Sequence, residues 1–329
     1  MKTEISIDDR ITLKNLADGL PSGYPEASIK KLITGLTAQK KFFPPEFSYD
    51  DKGSVYFDRF VETSEYYLPQ KEIEIFRTYK DDLVELTGNR AIFEVGAGSS
   101  KKVAILLEAY NKRYNPVCFY PIDINAAIMM AGARNYLPKL PNVYTNCIAG
   151  AYSDVFASKI KPAGTPSLFL LIGSSISQES DDTLLRNIRK QLDIGDMFMI
   201  SYDLQKDPEL LRSAYQNYEA SLCSLNVLDH LNDTFGSNFD QGSFEFEVQF
   251  NPEHKGCETH LRSKTDQDIL FRGLELTVHF DADETVRTGT QRKFDRVEMR
   301  SRLENIGFQE VKTFTDADGW YATTLLEAV

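Results

Sequence analysis

The chain is poor in several residue types, and each scarcity narrows its class. It has four cysteines and one tryptophan in 329 residues. Cys118, Cys147, Cys223 and Cys257 form no C-x-x-C pair, which argues for a reducing compartment and against a disulfide scaffold. Two of them lie in apolar runs, where a free thiol acts as a small hydrophobe. No apolar run reaches the roughly 18–20 residues needed to span a bilayer. Nor does the N-terminus carry a basic stretch followed by an apolar one. These absences predict a cytoplasmic protein with no membrane partner. Positive charge is also short. Thirty-seven Lys and Arg stand against 49 Asp and Glu, a net charge of -12. That balance speaks against nucleic acid as a partner, because binding phosphates needs a basic surface. A local basic pocket for a small anionic group stays compatible with it. Internal repeats and low-complexity segments are absent.

The remainder reads as a folded globular protein. Hydrophobic residues make up 42% and charged residues 26%, and the length suits one large domain or two ordinary ones. Apolar spacing predicts a helix near Ser28–Ala38. The aromatic, proline-rich stretch Phe42–Tyr49 that follows is forced into an extended path by Pro44-Pro45. It lines a pocket or is a loop pinned to the core. A helical run Lys71–Leu86 stops at Gly88-Asn89. Strands are then expected at Ala91–Val95, Val117–Ile124, Asn142–Ile148, Ser167–Ile172 and Met197–Leu204, separated by helices, the signature of βαβ units with a parallel sheet. After Asp207-Pro208 the alternation ends. A helical stretch leads to antiparallel-type runs at Phe244–Asn251, Glu258–Ser263 and Leu274–Phe280, and the tail returns to helix, strand, strand. The pattern predicts two interleaved domains.

The first βα turn carries Glu94-Val-Gly96-Ala-Gly98. Glycines there let a backbone approach a ligand, and the following helix offers free N–H groups. A dinucleotide turn would need a third glycine; Lys101 stands there instead, which weakens a nicotinamide oxidoreductase. The looser E/D-x-G-x-G turn resembles that of doubly wound methyltransferases. These place an acid at the end of the second strand to accept ribose hydroxyl protons, and Asp123 supplies one. A lone Glu94 could be structural.

Beyond this turn, ordered segments run from about residue 49 to 321: Tyr49-Asp-Asp-Lys-Gly-Ser54, Glu65-Tyr-Tyr-Leu68, Phe93–Lys102, Pro121-Ile-Asp123, Gly173-Ser-Ser-Ile176, Asp203–Pro208, Ser213-Ala-Tyr215, Leu225-Asn226, Val286-Arg-Thr288, Lys293-Phe294 and Gly319-Trp320. Together they resemble the histidine-specific α-N-methyltransferases of ergothioneine biosynthesis and the related fungal 4-dimethylallyltryptophan N-methyltransferases. The resemblance implies an α/β fold, a Rossmann-like methyltransferase core over 61–196 and 287–329, and a mixed α+β substrate-binding domain over 1–60 and 197–286. It implies S-adenosylmethionine as cofactor and a small-molecule amine as substrate. Gly96, Lys102 and Asp123, with Gly98 of the turn, would meet the cofactor. Tyr49, Tyr66 and Tyr215 would surround the amino acid. The family's Asp-Phe pair at the adenine corresponds to Ala151-Tyr152, so Tyr152 keeps a stacking ring while the carboxylate is lost; Asp154 lies close enough in sequence to replace it.

Departures concentrate on the substrate side. Gln178 stands where the histidine enzymes carry the Asn that grips the α-amino and carboxylate groups. Gly289 and Gln291 replace the Glu and Ser that bond the imidazole, and Thr259 replaces a pocket Met. Losing the partner of a desolvated polar group costs roughly 1–3 kcal/mol. The expectation is therefore an aromatic, indole-sized substrate, with histidine bound through Gln291 as the alternative. The loss at Ala151 also motivates a cofactor-binding protein without catalysis. Methyl transfer to an amine needs no metal and no covalent intermediate. It needs an aligned, neutral amine, and Tyr66 is the candidate to align it. His254, Cys257 and His260 are ligand-type residues, yet no fourth ligand lies nearby and strand spacing puts Cys257 and His260 on opposite faces. No metal is expected.

Overall fold

Apolar runs too short for a helix and too continuous for a surface strand dictate the centre of this protein. The computed structural model describes residues 3–16, 23–157, 159–173, 175–178 and 182–329. Strands β1 (Thr3–Asp8) and β2 (Ile11–Asn15) precede helices α1 (Glu26–Leu36), α2 (Asp51–Phe60) and α3 (Leu68–Thr87). Alternation follows: β3 (Ala91–Val95), α4 (Val103–Arg113), β4 (Val117–Asp123), α5 (Ala126–Tyr136), β5 (Val143–Ala149), α6 (Tyr152–Val155), β6 (Ser167–Leu171), α7 (Ser175–Gln178), α8 (Thr183–Gln191) and β7 (Met197–Asp203). Helices α9 (Pro208–Tyr215) and α10 (Tyr218–Phe235) lead to β8 (Phe244–Asn251), β9 (Gly256–Ser263), β10 (Gln267–Phe271), β11 (Leu276–Phe280) and β12 (Thr285–Gln291). The chain closes with α11 (Arg296–Glu304), β13 (Phe308–Thr315) and β14 (Tyr321–Ala328).

The chain divides into two compact units. The first comprises Met1–Asp18, Leu68–Gln205 and Lys293–Val329; the second comprises Gly19–Tyr67 and Lys206–Arg292. Among the described residues, the first unit builds one nine-stranded sheet in the order β1-β2-β5-β4-β3-β6-β7-β14-β13. Its six strands from β2 to β7 pair in parallel, and antiparallel pairs close both edges. The chain winds outward from β3 through β4 to β5, then returns to the other side of β3 for β6 and β7. This is a Rossmann-like, doubly wound sheet with its switch point at β3, and ligands of such sheets bind beyond the carboxyl ends of the strands there. Every residue of β3, β6 and β7 is buried, as helices on both faces require. Phe93 stacks between Tyr120 and Phe169, with ring centroids 4.4 and 4.6 Å away.

The expected division put residues 1–60 with the substrate domain, but the first strands belong to the large sheet. β2 pairs in parallel with β5, and Arg10 ties the β1–β2 turn down by donating to Leu140 O at 2.8 Å and Leu137 O at 3.1 Å. The second part was expected to begin at 197. β7 in fact completes the parallel sheet, and the break falls after Gln205. Likewise β12 pairs with β9, so the return falls at Lys293 and not at 287. The second unit holds a three-stranded sheet, β12-β9-β8, and a separate hairpin, β10-β11. Helices α9 and α10 pack on the three-stranded sheet. Phe239 meets Phe244, Phe271 and Phe280 at centroid distances of 5.6 to 6.1 Å. No helix among the described residues is long and apolar enough to cross a membrane.

Candidate active site

The turn after β3 is shaped by glycine. Gly96 and Gly98 have φ of +73° and +51°, values a side chain disfavours. The N–H groups of Gly96 and Ala97 both donate to Ile122 O, at 2.9 and 3.0 Å, which fastens the turn to the end of β4. Backbone donors hold both oxygens of Asp123: Gly98 N to Oδ2 at 2.8 Å and Asn125 N to Oδ1 at 3.0 Å. The turn and the acid that the sequence paired are thus one hydrogen-bonded unit. Among the described residues, none comes within 4 Å of where a Cβ on Gly98 would stand. A Cβ on Gly96 would come 2.7 Å from both the Tyr152 hydroxyl and Ser175 Oγ. Tyr152, at the start of α6, therefore lays its phenol tip against the turn; Asp154 follows on the same short helix.

Three acids adjoin the turn and the Lys102 that follows it. Glu94 is buried and accepts from Ser100 Oγ at 2.7 Å. Burial pushes its carboxyl up to about 8, against the opposing pull of Ser100 and Lys102. Burial likewise raises Asp123, opposed by its backbone donors. Glu72 of α3 is completely buried and bonds both Lys102 and the Gly173 N–H. Sequence reasoning passed over Glu72. Its signal was there: Leu68, Glu72, Ile75, Phe76 and Leu83 share the buried helical stripe. A carboxylate in an apolar stripe calls for a buried partner. Gln178 ends α7, in the segment that Gly173 begins.

The tyrosines gather in the second unit. Tyr66 and Tyr215 are both buried, with ring centroids 5.4 Å apart at 68°, and Phe60 lies 4.1 Å from Tyr66. Tyr49 joins the row through Phe57, 5.7 Å away, which in turn is 6.2 Å from Phe60. Asp50 fixes this segment. It caps α2 through Gly53 N at 2.7 Å and accepts from Asn226 Nδ2 at 2.7 Å.

Thr259, Gly289 and Gln291 share one face of the three-stranded sheet. Gly289 lies opposite Thr259 and Gln291 opposite Cys257, and residues paired in this way project to the same side. The register shifts between Arg287 and Gly289, which admits Thr288 as a bulge. Its hydroxyl bonds Thr259 Oγ1 at 2.9 Å and Ser224 Oγ at 3.1 Å. Gly289 does not open onto a void. A Cβ there would stand 2.8 Å from Thr259 Oγ1 and 3.5 Å from Gln291 Nε2. The Thr259 hydroxyl, held by Thr288, uses part of the space beside Gly289. Charge lies on the opposite face, where Glu258 pairs with Arg287 at 3.1 Å and lies 3.4 Å from the His260 ring. These partners hold Glu258 at about 2 despite its partial burial. Cys257 and His260 sit on β9 three residues apart and so on opposite faces.

Comparison with known proteins decides the family. The model of the SAM-dependent, histidine-specific methyltransferases matches residues 28–328. The chain belongs to this family. It is an enzyme, an S-adenosylmethionine-dependent N-methyltransferase. Relatives include a histidine N-α-methyltransferase of Mycolicibacterium smegmatis, 28% identical over 305 residues that cover 91% of this chain and 94% of the relative. Its Mycobacterium tuberculosis counterpart is 27% identical, covering 90% and 93%. The 4-dimethylallyltryptophan N-methyltransferase easF of Aspergillus fumigatus is 23% identical, covering 91% and 92%.

Proposed function

We propose that this methyltransferase acts on the α-amino group of an amino acid or a related primary amine whose side chain is aromatic and larger than imidazole. The observation that carries the reading is the chemistry of the Thr259–Gly289–Gln291 face: hydroxyls and one amide, with no carboxylate to accept a proton from a ring N–H. Histidine is the second reading, favoured by the amide of Gln291 and by the mycobacterial relatives.

The glycine turn fits the cofactor by the chemistry of its donors. Gly98 leaves its backbone approachable and Asp123 presents a carboxylate to a vicinal diol. Lys102 offers an ammonium whose side chain keeps 26% exposure, suited to a carboxylate. In this reading Gly96, Gly98, Lys102, Asp123 and Tyr152 hold the cofactor. Tyr49, Tyr66, Gln178, Tyr215, Thr259, Gly289 and Gln291 hold the amine. When bound, S-adenosylmethionine supplies a methyl on a positive sulfonium. The protein's part is to present a neutral nitrogen about 3 Å from that carbon and in line with the bond that breaks. The Tyr66 hydroxyl orients the nitrogen and passes its proton toward water. The Tyr49 and Tyr215 rings stabilise developing positive charge.

The test is incubation with labelled cofactor and a panel of amino acids and aryl-ethylamines, with products identified by mass. Methylated aromatic amines are expected; methylated histidine as sole product overturns the substrate class. Tight cofactor binding without turnover of any amine overturns the enzymatic reading of the pocket.

A further inference from the structure

Glu72 occupies a place in α3 where its helix otherwise buries Leu68, Ile75, Phe76 and Leu83. A carboxylate so placed costs several kcal/mol unless it is paired and fully hydrogen-bonded. Each of its oxygens has a separate task. Oε1 accepts from the Gly173 N–H at 2.8 Å, and Oε2 accepts from Lys102 Nζ. The same ammonium lies 2.7 Å from the point a Gly173 Cβ would occupy, and Gly173 has φ of +80°. Only glycine satisfies both demands. From the other side the Tyr321 hydroxyl donates to Gly173 O at 3.0 Å. Lys102 is thus anchored by a partner out of reach of water while it keeps an exposed edge itself. Gly173 begins the short segment that ends in Gln178.

We infer that Glu72 is a positioning residue for both ligands: one oxygen aims Lys102 at the cofactor carboxylate, and the other fixes the root of the segment that presents Gln178 to the amine. This rests on the roles proposed above for Lys102 and Gln178. Glu72 itself touches neither ligand.

The test is calorimetric titration of S-adenosylhomocysteine into the parent, Glu72→Gln, Lys102→Met and the double variant, followed by amine kinetics at saturating cofactor. Glu72→Gln keeps an acceptor for Gly173 and removes the charge that anchors Lys102. It should raise the Kd about tenfold, the scale of a lost charge-assisted bond, and leave the amine KM within about twofold. In the Lys102→Met background the same change should add nothing, because the effect passes through Lys102. Glu72→Ala, which also strands the Gly173 N–H, should raise the amine KM as well. A merely structural role would lower the thermal midpoint without splitting Kd from KM and without this non-additivity. Parent-like binding by Glu72→Gln, with Lys102→Met weakened, overturns the inference alone; parent-like binding by Lys102→Met overturns the role of Lys102 and this inference with it. Should Glu72→Gln fail to fold, Glu72→Asp keeps the charge and shortens the arm by one methylene. It should raise both constants about threefold or more, and parent-like values for both overturn the inference.

Discussion

Tyr66 is one of sixteen tyrosines, and only its surroundings separate it from the rest. It is buried between Phe60 and Tyr215, so the ring is fixed and the hydroxyl has little freedom. Tyr66→Phe keeps that packing and removes one oxygen. We expect kcat to fall about 100-fold, within the usual range for a lost proton-handling group, with the cofactor Kd unchanged by calorimetry. An unchanged kcat would assign Tyr66 to packing. Selectivity has its own single-residue test. The backbone at Gly289 is not in the left-handed region, so a side chain is permitted once Thr259 turns its hydroxyl away from Thr288, at about 1 kcal/mol. Gly289→Glu with Gln291→Ser rebuilds a proton acceptor there. Its kcat/KM for histidine should rise at least about tenfold relative to aromatic amines; a ratio that does not move refutes the assignment of this face to the substrate side chain. The two residues also show what one sequence can reveal. Gly289 was visible as a missing carboxylate, whereas the Thr259 hydroxyl beside it depends on a register that no local pattern states.

At the scale of elements, legibility followed burial. Residues 91–95, 167–171 and 197–203 are covered on both faces, so their composition alone marks them as strands. β1 and β2 are short and less than half apolar, and a strand near a sheet edge needs only backbone pairing to join it. β12, Thr-Val-Arg-Thr-Gly-Thr-Gln, was missed as a strand for the same reason: its backbone pairs with β9 while its side chains are mostly polar. Expected as one helical stretch, Glu209–Phe235 breaks at Gln216-Asn217, where Asn217 caps the second helix by accepting from Ala220 N at 2.9 Å. Capping also gives the element-scale prediction. Asp50 starts α2 and takes the Asn226 amide, so Asp50→Ala loses a cap and leaves a buried donor without its acceptor. The combined cost is about 2–4 kcal/mol, readable as a lower urea midpoint. Because Tyr49 adjoins the cap, the amine KM should rise more than the cofactor Kd. A midpoint equal to the parent's would remove Asp50 from the account.

At the scale of the whole molecule, the buried acids under the glycine turn set the pH response. Unfolded, Glu94 titrates near 4.5; folded, burial holds it at about 8 although Ser100 and Lys102 pull the other way, with Glu72 and Asp123 adding to the rise. Between those values the folded chain keeps a proton that the unfolded chain has lost. Stability therefore declines as pH rises from 4.5 to 8 and levels off above, and the upward shift of Asp123 acts in the same direction. Glu258 works at the other end. Its folded value of about 2 gives stability that is present above 4.5 and is lost as pH falls toward 2. The contribution of these two acids alone is greatest near pH 5, below neutrality. The measurement is a series of urea midpoints from pH 3 to 9 on the cofactor-free protein. Glu94→Gln should flatten the limb between pH 5 and 8 and leave the acid limb intact. Glu258→Gln should do the reverse. The difference between each variant and the parent isolates one acid, since every other titrating group is common to both. A Glu94→Gln limb as steep as the parent's would mean that Glu94 is ionised in the folded state. The turn would then carry a negative charge before any cofactor arrives, which its burial and its one neutral donor, Ser100, argue against.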